Sequence, residues 1–187
     1  LLPREEAIPE IKDGIRKNPR NYKLYFDLGF GVYKEKLEDY ENAVKYLAEA
    51  LRQPHHRWVP RQLAICQELN GQYEDALAGW KNYVRRFPES STAVNVAPRF
   101  IQRNTGLIFE QKAEEARAEA RAAADPEAAE ALREEAEQYE QQARAVWNEM
   151  ASVYAEARKL RLDALDLVEE ERYHEAIALL DKVRWES

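Results

Sequence analysis

The chain has 187 residues, of which 45% are hydrophobic and 34% charged, and its formal net charge is −7. That is enough apolar material for one sizeable domain, or for a repeat array with an appendage, beneath a heavily charged surface. The acidic excess lies in the Glu-rich second half and argues against a basic nucleic-acid-binding face, while the one cysteine, Cys66, excludes an internal disulfide and a cysteine-type zinc cluster.

No run approaches the roughly 18 apolar residues of a membrane span, and no signal-peptide pattern opens the chain. The 6 glycines and 8 prolines are isolated, so no long linker is expected. No period-2, β-branched segment stands out, and the expected fold class is all-α. The first residue is Leu1 rather than Met, and the opening residues look like the inside of a repeat. Further residues are therefore expected upstream, with room among them for a targeting or anchoring segment.

Residues 4–17 read as a helix in which Ala7, Ile11, Gly14-Ile15 and Pro19 stand as Ala43, Leu47, Ala50-Leu51 and Pro54 do further on. Pro9 would cost a hydrogen bond inside a helix, so the helix should start near Ile8 with Pro9 in its first turn and stop at Asn18-Pro19. Helices are then predicted over 21–37 and 39–52. The segment YKEKLEDY between them is about two residues longer than such a hairpin usually needs. Gly29, Ala43 and Ala50 suit a close helix crossing, with Leu28, Tyr40, Leu47 and Leu51 filling the space beside it.

A second hairpin is predicted over 57–70 and 73–86, turned at Asn70-Gly71, with Pro60 tolerated in the first turn of its helix. Glu89-Ser90-Ser91 offers an N-cap for a helix over 92–104. Pro98 should bend that helix or delay its start, and Asn104-Thr105-Gly106 should end or kink it.

Beyond Phe109 the pattern changes. Phe109, Ala113, Ala116, Ala120 and Ala123 alternate in steps of four and three, up to a stop and fresh start at Asp125-Pro126. Leu132, Ala136, Tyr139, Ala143, Val146, Met150, Val153, Ala157, Leu160, Ala164 and Leu167 continue with the same steps, a coiled-coil seam. A continuous helix over 127–170 would be roughly 65 Å long. The small residues of the first series suit an antiparallel pair folded at Asp125-Pro126. Tyr173, Ala176, Leu180 and Val183 then repeat the Tyr-x-x-Ala spacing of Tyr40/Ala43 and Tyr73/Ala76, which predicts a closing hairpin over 157–170 and 173–185.

The marks recur at a period of about 34 residues and resemble the tetratricopeptide repeat (TPR) family. LAICQELNGQYEDALAGWKNYVRRFP matches the repeat motif over its whole length, and Asn21–Pro54 matches it apart from the insertion. The resemblance covers about residues 4–104 and, more weakly, 157–185. The layout NPRNYKLYFDLGF, DYENAVKYL, WVPRQLA also looks like a group of bacterial TPR proteins often tethered at the N-terminus, which would place the chain in the cytoplasm or at a bacterial membrane. The family implies a right-handed superhelix, an α-solenoid, whose concave groove binds peptides or partner proteins.

Mapped onto this chain, the groove-facing residues implied by the resemblance are Phe26, Phe30 and Tyr33, then Trp58, Arg61, Ile65 and Glu68, then Asn95, Arg99 and Arg103. Family members that clamp a C-terminal carboxylate carry Lys, Asn and Arg at such positions. Phe26 and Phe30 depart from that pattern and suggest an aromatic groove for an apolar or helical segment. The alternative is that Phe26, Phe30 and Tyr33 pack beneath the preceding helix or a neighbouring segment.

Other constellations carry little chemistry. His55-His56 are adjacent and lack a ligand partner at i+4, so no metal site is expected. Cys66 has no His or Asn arranged to activate it and reads as a packed residue. The Glu-rich stretch 127–141, interleaved with Arg and Gln, reads as a solvated face with i, i+4 ion pairs. Arg85-Arg86 with Arg99 and Arg103 form a modest basic cluster. With no phosphate loop, Ser-His-Asp set or HExxH, no catalytic residue and no cofactor is expected.

The sequence thus divides into TPR-like repeats over 1–106, an Ala/Glu-rich antiparallel helical hairpin over 107–156, and a TPR-like hairpin over 157–187. It points to a protein-binding scaffold rather than an enzyme. The competing expectation is a structural subunit of a larger multiprotein complex, held through its coiled-coil hairpin.

Overall fold

The computed structural model describes residues 5–169 and 171–186, and every regular element among them is helical. Residues 1–4, 170 and 187 lie outside the described residues, and with them the outer ends of the segments expected over 1–106 and 157–187. The side chains of Ala157 and Val183 also lie outside. Contacts divide the chain between Phe87 and Pro88 into two compact units, so residues 88–106 group with the long C-terminal helices rather than with the first hairpins. No helix among the described residues is long and apolar enough to cross a membrane.

In the first unit, a 3-10 turn at Glu5–Ala7 leads into α1 (Ile8–Lys17), with Pro9 in its first turn, where no hydrogen bond is lost. α2 (Tyr22–Phe26) is capped by Asn21, whose side chain accepts from the Lys23 N–H at 3.1 Å. It runs straight into a π-helical segment, Asp27–Lys34, where a single α-helix over 21–37 is expected. The Glu35 N–H bonds to the Phe30 carbonyl and the Leu37 N–H to that of Val32, an i→i+5 ladder. Such a ladder holds more residues per turn, and it absorbs part of the extra length between these helices.

Leu28, Gly29, Gly31, Val32 and Tyr33 of the π segment are buried, and the segment lies against α3 (Tyr40–Leu51), capped by Asp39. A Cβ on Gly29 would lie 3.0 Å from Leu47 Cγ and 3.1 Å from both the Ala43 carbonyl oxygen and the Leu47 nitrogen, so the close approach requires glycine. α4 (Trp58–Leu69) and α5 (Tyr73–Arg86) form the next hairpin, with Gly79 against Ala64. Each helix packs on its sequence neighbours. The core joins Leu28, Val32, Tyr33, Ala43, Leu47, Leu63 and Cys66, and Ile8, Ile11 and Ile15 of α1 pack against it. Fully burying a side chain such as Leu28 or Leu47 contributes about 1.5–3 kcal/mol.

In the second unit, Ser90 caps the short α6 (Ser91–Asn95) by accepting from the Ala93 N–H at 3.1 Å. α7 (Ala97–Ala122) begins after a break at Val96, with Pro98 in its first turn as the sequence suggests. Asn104-Thr105-Gly106, expected to end or kink the helix, does not end it, for α7 runs through. Asn104 Nδ2 donates to the Phe100 carbonyl and Thr105 Oγ1 to that of Ile101, both at 2.8 Å, so the polar side chains bond back along the helix instead of ending it.

Asp125 accepts from the N–H groups of Glu127 and Ala128 and starts α8 (Pro126–Glu169). At 44 residues this helix is about 65 Å long. Arg117 pairs with Glu140, and Trp147 Nε1 donates to Glu110 at 2.8 Å. As the position on α7 falls, its partner on α8 rises, so the two helices run antiparallel. Ala113, Ala116 and Ala120 are buried, as are Ala129, Ala136 and Ala143. Tyr139 stacks on Phe109 with ring centres 6.4 Å apart. α9 (Tyr173–Glu186) folds back on α8.

Three turns share one construction. Glu38, Gly71 and Glu171 adopt positive φ (52°, 75° and 62°). Two residues later the helix restarts, and the N–H groups of Ala43, Ala76 and Ala176 bond the carbonyls of Asp39, Gln72 and Arg172 at 3.0, 3.0 and 3.1 Å. Those three alanines are buried, each three residues after Tyr40, Tyr73 or Tyr173.

Candidate binding cleft

Tyr22, Phe26 and Phe30 follow one another at intervals of four along α2 and its π extension, a spacing that places α-helical side chains on one face. Phe26 stacks on Phe30 with ring centres 5.2 Å apart and planes 26° from parallel. The chain returns to this region at the start of α4. There Tyr22, Lys23, Phe26 and Asp27 meet His56, Trp58 and Val59 around a cleft of about 440 Å³. That volume lies in the range of side-chain and small-ligand sites. Trp58 is 50% exposed although large and apolar, whereas its neighbour Val59 is buried.

His56 helps set the entry to α4. Its Nδ1 lies 3.4 Å from the Trp58 N–H, which donates to it, and its ring centre lies 6.4 Å from that of Trp58. Asp27 is half-buried, and among the described residues its carboxylate accepts no hydrogen bond and joins no ion pair. Burial pushes its carboxyl above the ordinary carboxylate range, and the nearby positive charge of Lys23 offsets this only in part. The cleft thus combines aromatic walls with one acidic group that has no counter-ion in contact.

Of the residues expected to face a groove, the fold brings Phe26 and Trp58 together here. Phe30 lies beside Phe26, packed against the core, with Lys34 Nζ 4.9 Å from its ring centre. Tyr33 is buried and stacks on Tyr46 at 5.3 Å, and Glu68 is buried on α4. Ile65 and Arg61 are half-buried, the Arg61 Nε having no hydrogen-bond partner among the described residues. Asn95, Arg99 and Arg103 belong to the second unit, where Arg99 and Arg103 line a smaller hollow of about 170 Å³ with Phe100 and Met150.

Tyr22, Lys23, Asp27 and His56 join the cleft without being expected there from the sequence. The Tyr22/Phe26 spacing could have flagged the first, whereas the His55-His56 pair suggests only a metal ligand. Among the described residues no group of three or more His, Cys, Asp or Glu side chains is placed to hold a metal. His55 and His56 face different partners, with His55 Nδ1 bonded to the Gln53 carbonyl at 2.6 Å and Nε2 lying 3.4 Å from Arg86. Cys66 is fully buried, and desolvation pushes its thiol up to about 12.

No family model, curated protein or solved structure matches this chain.

Proposed function

We propose that this chain is a protein–protein interaction adaptor of tetratricopeptide type. Residues up to Phe87 would supply a half-repeat and two hairpins, α7 with α8 an inserted antiparallel coiled-coil hairpin, and the end of α8 with α9 a closing hairpin. Three turns of one construction, each ahead of a Tyr-x-x-Ala start with its alanine buried, support the repeat. So do the close pairs Gly29/Ala43 and Ala64/Gly79 at corresponding helix crossings.

The observation that carries the function is the cleft, where the half-exposed Trp58 stands beside Phe26 and Tyr22 around an open volume. A large aromatic left half in water at a concave site is the usual make-up of an interaction hot spot. The occupant proposed is one anchoring side chain of a partner segment, extended or helical.

The test is selection of a random 12-residue peptide library on the full chain, followed by fluorescence-polarisation titration of the selected peptides. Trp58→Ala is the informative variant, because Phe30 packs on the core and its loss would perturb folding. Binding at least tenfold weaker with unchanged far-UV circular dichroism is expected. Unchanged affinity, or no enrichment at all, rejects the cleft as the binding site.

One feature favours the second reading, a structural subunit. Tyr173, Ile177 and Leu180 follow in steps of four and three along α9 and are 56%, 56% and 45% exposed. Such a stripe suits burial against another subunit. A monodisperse monomer in sedimentation at micromolar concentration would count against it.

A further inference from the structure

We infer that the cleft between α2 and α4 takes a basic side chain, arginine or lysine, of the partner segment, with Tyr22, Phe26 and Trp58 as its aromatic walls and Asp27 as its counter-ion. This rests on the adaptor function proposed above and specifies the chemistry of the anchor.

Asp27 decides the sign of the occupant's charge. An apolar side chain entering the cleft would complete the desolvation of a carboxylate that has no hydrogen bond or ion pair among the described residues. Burying such a group unpaired is strongly unfavourable. An acidic side chain would add repulsion. A guanidinium or ammonium instead gains a charge-assisted hydrogen bond to Asp27 and a cation–π interaction with the surrounding rings, both strengthened by exclusion of water. Tryptophan is the best cation–π partner, and Trp58 is the exposed member of the set.

Two other polar groups line the cleft. Lys23 stands four residues before Asp27 and is exposed, and its attraction does not outweigh the cost of burying the carboxylate. Surface charge of this kind is well screened. His56 receives the Trp58 N–H at Nδ1 and makes no hydrogen bond to Asp27, so no group of the cleft lining is in contact with that carboxylate as a counter-ion.

The experiment selects the same 12-residue library in parallel on the full wild-type chain and on its Asp27→Asn and Trp58→Ala variants. Synthetic versions of the enriched peptides are then titrated, each with its basic residue kept or replaced by glutamine. Wild type should enrich peptides sharing one arginine or lysine beside apolar residues, and the glutamine version should bind at least tenfold more weakly. Asp27→Asn should lose at least tenfold for the basic peptide and little for its glutamine version, while circular dichroism stays unchanged.

Peptides with a purely apolar or acidic anchor, lost on Trp58→Ala yet indifferent to Asp27→Asn, would overturn the basic anchor and leave the adaptor function standing. Peptides indifferent to Trp58→Ala would remove the cleft itself as a binding site.

Discussion

Gly106→Ala separates local helix propensity from the packing of α7 on α8, because the two predict opposite signs. Replacing a mid-helix glycine by alanine should stabilise α7 by about 1 kcal/mol if nothing else is near. Instead the added Cβ would lie 2.6 Å from Trp147 Cζ2, 2.8 Å from Cε2 and 3.0 Å from Cη2, well inside van der Waals contact. The indole is not free to slide away, since its Nε1 donates to Glu110 Oε1 at 2.8 Å, one turn further along α7. Displacing it costs about 1–3 kcal/mol in overpacking, and the exposed hydrogen bond adds about 0.5–1.5 kcal/mol when lost. The substitution should therefore destabilise the chain by about 0.5–3.5 kcal/mol net of the propensity gain. Urea unfolding followed by far-UV circular dichroism measures this, and a Trp147→Ala background supplies the control. There the clash is gone and Gly106→Ala should stabilise by about 1 kcal/mol. If Gly106→Ala stabilises the protein with Trp147 in place, the indole does not cover this glycine and the α7–α8 contact is misassigned.

Gly29→Ala should lower the melting temperature, by about 1–3 kcal/mol of stability, because its Cβ would press on backbone atoms of α3 that cannot rotate aside. An unchanged melting temperature would contradict the close approach. Cys66, with its thiol pushed up to about 12, should keep roughly one thiolate in 10⁴ at pH 8 and react with a disulfide reagent only after denaturation. The folded thiol holds its proton above the 9.0 of an ordinary one, so its contribution to stability is whole below that value and is lost as pH rises toward 12. Urea midpoints measured across this window in wild type and Cys66→Ala check the sign. Binding of an arginine-anchored peptide should weaken on acidification at a pH above the 3.8 of an ordinary aspartate, because Asp27 is shifted upward. Asp27→Asn should remove that component; Lys23 and His56 face the same cleft, and a His56→Gln background isolates the aspartate. Burial makes ionising Asp27 costlier in the folded chain than in the unfolded one, so its penalty to stability lifts as pH falls through its raised value.

Much of the helical layout is legible in the sequence because its punctuation is local. Asp39 caps α3, Asn70-Gly71 turns α4 into α5, and Asp125-Pro126 opens α8, each through groups within a few residues of the boundary. The two elements that depart from expectation depend on distant partners. Asn104-Thr105-Gly106 looks like a stop, yet it is carried through by bonds to the preceding turn and by an indole from α8. The π segment is likewise held where Gly29 meets Ala43 and Leu47, a contact that hydrophobic periodicity cannot foretell.

The same π segment explains why the cleft is only half legible. Assigning groove positions by repeat arithmetic assumes the α-helical advance per residue, and a ladder of i→i+5 bonds advances less. The helix face therefore slips from Asp27 onward. Phe26, the last residue before the change, stays beside the cleft, whereas Tyr33 turns inward and stacks on Tyr46. Asp27 stands at the junction, the first π residue and a member of the cleft lining. π-Helical segments give up regular α geometry and recur at functional sites. Here Leu28, Gly29, Val32 and Tyr33, within the altered winding, are buried, while Asp27 keeps company with Tyr22, Phe26 and Trp58. The π segment thus takes up part of the added length of the first hairpin and begins at the residue that brings a carboxylate to the cleft.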